Sequence, residues 1–254
     1  MNGVNVRRVW KQRVCPFIAS LRAGGTSGSN FTKTGNGSLT LAGGNNSFNG
    51  DASVAAGSLL VNGVISTNNS RSIRVSSGAT IGGNGTIGRN VLVNGTLAPG
   101  NSPSTLEITG NLSLADNSAF VLELNGGAPG DAGGAYDQVN VTGGSSTVTL
   151  GSNVTLSLSL GFAAASSDVF YVLTRADAGT YGGTFTGLAE GASIDFGNGT
   201  FGTLTYTANW TGTQAGSSII GGNDIAIYNL VPEPSVGLMI LGGFGLLGFF
   251  RRRV

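Results

Sequence analysis

Residues 31–61 read FTKTGNGSLTLAGGNNSFNGDASVAAGSLLV, and the pattern that decides the fold lies in this stretch. Its segment Gly37-Ser38-Leu39 recurs twenty residues later as Gly57-Ser58-Leu59. Related segments follow at 78–81 and 95–97, so the spacing stays near twenty residues. A fixed period of this length is typical of solenoids, in which each unit buries its apolar side only by stacking on its neighbours.

Short runs of alternating apolar and polar residues fill the chain from Phe31 onward. Period-two alternation rich in β-branched residues predicts strands with one buried face. Asn-Gly pairs between the runs favour the positive-φ turns that join strands. Before residue 236 no window shows a sustained helical period, so the sequence predicts an all-β solenoid. The main runs are 38–41, 58–61, 91–93, 106–108, 112–114, 120–124, 139–141, 148–150, 154–160, 169–174 and 204–207.

The composition excludes several classes of function. The 254 residues include 45 Gly and no His, which removes the commonest general base and most zinc sites. A single Cys excludes an internal disulfide. Only 10% of residues are charged, which argues against nucleic-acid binding. We therefore expect no catalytic residues, no metal ligands, no cofactor and no nucleic-acid partner.

Three motifs could suggest chemistry, and each has a simpler structural interpretation. The GxGxxG match at Gly83–Gly88 is followed by a strand-like run rather than the helix that a dinucleotide site needs. The segment 221–224 resembles part of a calcium repeat but occurs once, which favours a turn. Glu107 and Glu123 could come close on stacked coils, as the paired carboxylates of a glycosidase do, although solvent-facing acids also protect sheet edges. Aromatics of the second half suit either a core or sugar stacking.

The C-terminus differs from the body of the chain. Val231-Pro232-Glu233-Pro234 precedes residues 236–250, which are uncharged and mainly apolar, and Arg251, Arg252 and Arg253 follow. As a helix, the apolar segment spans about 22 Å, which arginine snorkelling and bilayer thinning can extend across a membrane. The alternative is a buried terminal helix of a soluble domain. The arginines would remain on the cytoplasmic side as a basic stop.

This tail resembles the PEP-CTERM sorting signal of Gram-negative bacteria, because its three parts stand in the same order. The resemblance implies that an exosortase, a membrane transpeptidase-like protease, recognises the tail and processes the protein near residues 232–234. It also implies that the helix anchors the protein in the bacterial inner membrane only before processing. A permanent tail anchor is the alternative.

Residues 31–62 look like the autotransporter-associated β-strand repeat, with Lys33-x-Gly35-x-Gly37, alternating leucines and a later Gly57-x-Leu59. Segments 95–114, 136–143, 183–188 and 222–225 are similar to parts of such passengers. The resemblance implies a right-handed parallel β-helix at the cell surface.

These observations divide the chain into four parts. Residues 1–30 form an N-terminal segment that is a degenerate or missing signal peptide or a mis-called start. Residues 31–162 form the solenoid repeats, 163–230 a capping β-region, and 231–254 the sorting signal. We expect an exported, non-enzymatic surface or matrix protein with a structural or adhesive role in extracellular polysaccharide or biofilm. Extracellular polysaccharide is its expected partner, and a carbohydrate-active β-helix enzyme is the alternative.

Overall fold

Short strands follow one another along the chain at intervals of a few residues. The computed structural model describes residues 17–19, 30–100, 103–130, 135–176, 181–197 and 199–232. A 3-10 helix at Gln214–Gly216 is the one helix in these ranges. The strands are β1 (Phe17–Ala19), β2 (Phe31–Lys33), β3 (Ser38–Leu41), β4 (Ala52–Val54), β5 (Ser58–Val61), β6 (Val64–Ile65), β7 (Ser72–Val75), β8 (Thr80–Gly83), β9 (Thr86–Ile87), β10 (Asn90–Val93), β11 (Thr96–Pro99), β12 (Thr105–Ile108), β13 (Leu112–Leu114), β14 (Ala119–Leu124), β15 (Ala128–Pro129), β16 (Ala135–Tyr136), β17 (Gln138–Val141), β18 (Val148–Leu150), β19 (Thr155–Leu160), β20 (Phe170–Arg175), β21 (Ser193–Asp195), β22 (Thr200–Ala208) and β23 (Asp224–Pro232).

The strands assemble into three sheets, and successive coils of the chain contribute one strand to each. Sheet 1 contains β2, β4, β7, β10, β13 and β18 in that order, all parallel. Sheet 2 runs in parallel from β1 through β3, β5, β8, β11 and β14 to β19, with β16 and β15 beside the end of β14. Sheet 3 runs in parallel through β6, β9, β12, β17 and β20. This arrangement is a solenoid with three sides.

The core consists of columns of apolar side chains, because equivalent residues of successive coils lie in register. One column in sheet 2 is Leu39, Leu59, Ile81, Leu97, Phe120 and Leu156. Its four middle members are completely buried. Burying such a side chain stabilises a fold by about 1.5–3 kcal/mol, so the columns dominate the stability of the solenoid.

Glycine is required where sheet 2 turns into sheet 3. A Cβ built on Gly85 would lie 2.0 Å from the carbonyl oxygen of Gly63 in the coil below, and one on Gly63 would lie 2.0 Å from that of Gly43. No side chain fits at these separations. The stacked turns therefore account for part of the high glycine content.

An antiparallel hairpin ends the solenoid. Strand β23 pairs with β20 in antiparallel fashion, β22 pairs with β23, and β21 pairs with β22, so sheet 3 continues beyond the last coil. Gly182 forms a parallel bridge to Thr149, which places the chain against the last strand of sheet 1.

The predicted all-β fold is confirmed, and its parallel sheets are consistent with the predicted β-helix; the right hand of the coil stays a prediction. Parallel pairing continues through β20 to Arg175, beyond the expected end of the repeats at residue 162. Strand β1 lies in the segment predicted to be a degenerate signal peptide, yet it pairs in parallel with β3. Within the described ranges no helix is long and apolar enough to cross a membrane. The predicted membrane helix at 236–250 lies outside them.

Candidate functional site

The predicted sorting motif begins inside the last strand of the fold. In the hairpin Val231 pairs with Phe201, and the backbone of Pro232 pairs with Thr200. Val231 is 44% exposed. The first two residues of the motif therefore belong to the last strand of sheet 3. The other predicted residues, Glu233, Pro234, Arg251, Arg252 and Arg253, lie outside the described part of the chain.

A buried carboxylate fixes the beginning of that strand. Asp224 is 1% exposed, and its two oxygens accept hydrogen bonds from the backbone N–H groups of Arg175 (2.7 Å) and Trp210 (2.6 Å). Burial raises the pKa of Asp224, although both hydrogen bonds and the Arg175 charge oppose the shift. Asp224 thus joins the hairpin to the last coil through both of its carboxylate oxygens.

The two glutamates considered as a catalytic pair lie on different sheets. Glu107 is on β12 in sheet 3, whereas Glu123 is on β14 in sheet 2. The Glu107 carboxylate accepts hydrogen bonds from the hydroxyls of Thr86 (2.9 Å) and Thr142 (2.8 Å). Glu107 therefore belongs to a polar ladder that connects stacked coils.

A second ladder runs along the corner that leads into sheet 1. The side-chain oxygen of Asn90 accepts the backbone N–H of Asn111, and that of Asn111 accepts the N–H of Thr147. Asn30 and Asp51 make the equivalent bonds three coils earlier, to the backbone N–H groups of Asp51 and Ser72. Each side chain satisfies a donor of the next coil, so these polar residues strengthen the stack.

Among the carboxylates in the described ranges, Asp137 has the pKa that departs furthest from its ordinary value. It is 2% exposed and accepts backbone N–H bonds from Ser104 and Glu123, both at 2.8 Å. Burial raises its pKa to about 6, and the neighbouring Glu123 charge acts in the same direction. Because both oxygens are occupied by backbone donors, Asp137 holds the chain where it returns from β14 to sheet 3.

Two buried cations have structural roles that sequence reasoning did not identify. The ammonium of Lys33 donates to the carbonyl oxygens of Thr34 (3.2 Å), Gly35 (2.7 Å) and Ala56 (2.8 Å), which explains why a lysine opens the Lys-x-Gly-x-Gly motif. Burial lowers its pKa. The Lys-x-Gly-x-Gly motif is the sequence feature from which this role of Lys33 could have been recognised.

Arg89 lies inside the solenoid, where it is 1% exposed. Its guanidinium lies 4.0 Å from the centre of the Phe48 ring and donates to the carbonyl oxygens of Phe48 and Gly50. These partners are about forty residues earlier in the chain. No local sequence signal predicts such a long-range contact.

The aromatic side chains of the second half include two buried tyrosines and several partly buried rings that pack against the core. Tyr136 and Tyr171 are buried, and Tyr171 packs against Trp210 at a ring distance of 4.9 Å. Tyr206 contacts Phe185 and Tyr181. These contacts favour the core interpretation over sugar stacking for those residues.

The glycine motif at 83–88 forms a corner of the solenoid. It spans the end of β8 and all of β9, and β10 follows it. The described ranges hold no cluster of three or more potential metal ligands.

Comparison with known proteins finds two local matches to family models. The model of the passenger-associated-transport-repeat matches residues 31–61, and that of the PEP-CTERM protein-sorting motif matches residues 230–254. Neither the curated proteins nor the solved structures contain a match. The two predicted resemblances are therefore confirmed. The sorting motif implies export to the cell envelope and processing by an exosortase.

Proposed function

We propose that the protein is a non-enzymatic surface or matrix component whose β-helix has a structural or adhesive role in extracellular polysaccharide. The observation that carries this proposal is the direct passage of the last strand, β23, into the sorting motif. With Val231 and Pro232 still paired to β22, the folded body would be held close to the membrane until the tail is cut.

The tail would act as a temporary anchor in the bacterial inner membrane. Residues 236–250 form the apolar segment, and Arg251, Arg252 and Arg253 keep its end in the cytoplasm. Processing near Pro232–Pro234 then transfers the protein to the cell surface or the extracellular matrix. Residues 23–231 hold five basic and eleven acidic residues, so the mature protein would be acidic.

The engagement of its polar groups supports a structural role. Glu107, Asp137 and Asp224 each use both carboxylate oxygens in hydrogen bonds within the fold. A glycosidase instead needs two carboxyl groups that face a common substrate across about 5–9.5 Å. Outward-facing positions of sheets 1 and 2 include serine and threonine side chains, such as Ser53, Thr149 and Ser157, which suit hydrogen bonding to polysaccharide.

Processing can be tested by intact-mass measurement in a bacterium with an exosortase and in the same strain lacking it. The full chain should lose the mass of its tail only in the first strain. A variant with Pro232→Ala and Pro234→Ala should stay intact, whereas the matched control with Pro103→Ala and Pro129→Ala should be processed. Persistence of the full-length wild type in the membrane of the first strain would overturn the processing step and favour a permanent anchor.

The surface role needs a separate measurement. Full-length protein in detergent micelles is incubated with extracellular polysaccharide from a producing strain, and both co-sedimentation and new reducing ends are measured. Co-sedimentation without new reducing ends is expected. Release of reducing ends that Glu107→Gln or Asp137→Asn abolishes would establish the carbohydrate-active enzyme instead.

A further inference from the structure

The last strand of sheet 2 has a partner on one side only within the described part of the chain. Strand β19 pairs with β14 over its whole length, from Thr155 to Leu160. On the side of β14, the backbone N–H of Thr155 donates to the carbonyl oxygen of Ser118, and that of Gly161 donates to the carbonyl oxygen of Leu124. Because successive residues of a strand point their backbone N–H and C=O groups to opposite sides, those of Leu156, Leu158 and Leu160 point away from β14.

On the outer side of sheet 2, the backbone N–H of Thr186 donates to the carbonyl oxygen of Val154 (2.8 Å), so this edge is covered only just before β19 begins. The other two sheets are covered at this end of the solenoid. Sheet 3 is extended by the β21–β23 hairpin, and the last strand of sheet 1 is bridged by Gly182. Natural proteins blunt exposed edges with charges, proline, bulges or very short strands. Strand β19 has six residues and carries no charge, no proline and no bulge.

The sequence of β19 is self-complementary. Leu156-Ser157-Leu158-Ser159-Leu160 reads the same in both directions. We propose that two copies of this chain join at β19 in an antiparallel, two-fold symmetric pair centred on Leu158. Leu158 then faces its own equivalent, and Leu156 faces the second copy's Leu160.

The backbone geometry fits this pairing. The residues with outward backbone groups are the three leucines, which are the residues that must exchange N–H···O bonds in this register. Ser157 lies opposite the second copy's Ser159 in a non-hydrogen-bonded pair, where side chains approach most closely. The two-fold operator also closes the assembly at two copies.

Charge favours a second copy over a charged partner. The strand is neutral, so two copies meet without like charges opposite each other, and a basic or acidic peptide would gain no attraction. The leucines are only half-buried and pack on the core, so an added strand covers apolar surface that water now contacts.

The test measures the protein mass of full-length chain in detergent micelles by light scattering with size-exclusion chromatography. Wild type should have twice the mass of one chain. Ser157→Lys with Ser159→Lys places lysines opposite each other across the two-fold axis and should halve this mass. Ser157→Lys with Ser159→Glu places each lysine opposite a glutamate of the second copy and should restore it.

The matched control introduces two lysines at exposed turns, through Ser77→Lys and Ser145→Lys, and should keep the double mass. Far-UV circular dichroism verifies that every variant is folded. A wild type with the mass of one chain, or a double-lysine variant that keeps the double mass, would overturn the proposal. A ladder of larger species would indicate end-to-end stacking and overturn the two-fold arrangement.

Discussion

Asp137 makes the stability of this fold depend on pH in a direction opposite to that of most paired carboxylates. The group is buried, and its pKa is raised to about 6 in the folded protein. In the unfolded chain an aspartate titrates near 3.9. The folded state therefore binds the proton more tightly, so the contribution of this group is fully present at the acid end and is lost as pH rises from about 4 to about 6.

The size of the effect follows from the difference between the two pKa values. About two pH units correspond to ~3 kcal/mol of unfolding free energy, which is an upper bound. Asp137→Asn removes the titration. It also turns an amide N–H toward the backbone N–H of Ser104 or Glu123, which costs about 1–3 kcal/mol at every pH.

The assay is urea unfolding of full-length protein in detergent micelles at several pH values between 4 and 8. The unfolding free energy of the wild type minus that of Asp137→Asn should fall by up to ~3 kcal/mol from pH 4 to pH 7. Asp116→Asn removes a negative charge at an exposed position and controls for net charge. Parallel wild-type and Asp137→Asn curves, or a difference that grows with pH, would refute the reasoning.

Two further substitutions test the packing of the coils. Arg89→Met should lower the unfolding free energy by about 2–5 kcal/mol, because it leaves the carbonyl oxygens of Phe48 and Gly50 without their donor. Amide hydrogen exchange at residues 44–51 should become faster in this variant, and unchanged exchange there would contradict the prediction. Gly85→Ala should lower the unfolding free energy measured in urea by about 1–3 kcal/mol, because the added Cβ meets the coil below. In the control Gly144→Ala the added Cβ meets nothing within 4 Å, so the unfolding free energy should change by less than ~0.5 kcal/mol. Equal losses in the two variants would argue against the close stacking.

The solenoid could be predicted from the sequence because stacking repeats the same physical environment. Equivalent corner residues are 21 positions apart between Asn90 and Asn111, and the sequence shows that period. The next interval, from Asn111 to Thr147, is 36 residues. The wider coil contains β15, β16 and the return through Asp137, so the period disappears from the sequence although the stack continues.

The cap and the buried cations could not be predicted, because tertiary context determines them. Strands β22 and β23 alternate less cleanly than the repeats, since the hairpin has an irregular register and a positive φ at Asn229. Arg89 begins a strand-like run in a chain with few charges, and its sequence neighbours do not reveal the Phe48 ring against which it packs. In the candidate site, the sorting tail was predictable because its three parts are contiguous, whereas its attachment to sheet 3 depends on pairing with β22.

The core columns of the three sheets end in different ways. The register column of sheet 1 begins at Lys33 and continues through valines and leucines to Leu150. The column of sheet 3 runs from Ile65 through Ile87, Ile108 and Val141 to Arg175. A buried cation thus stands at one end of each of these columns: Lys33 on the first strand of sheet 1, and Arg175 on the last parallel strand of sheet 3, beyond which the hairpin continues the sheet. The column of sheet 2 contains no charge and ends at half-buried Leu156, next to strand β19. At the end of the solenoid that contains β19, sheet 2 therefore presents an apolar, self-complementary edge that a second copy of the chain can extend.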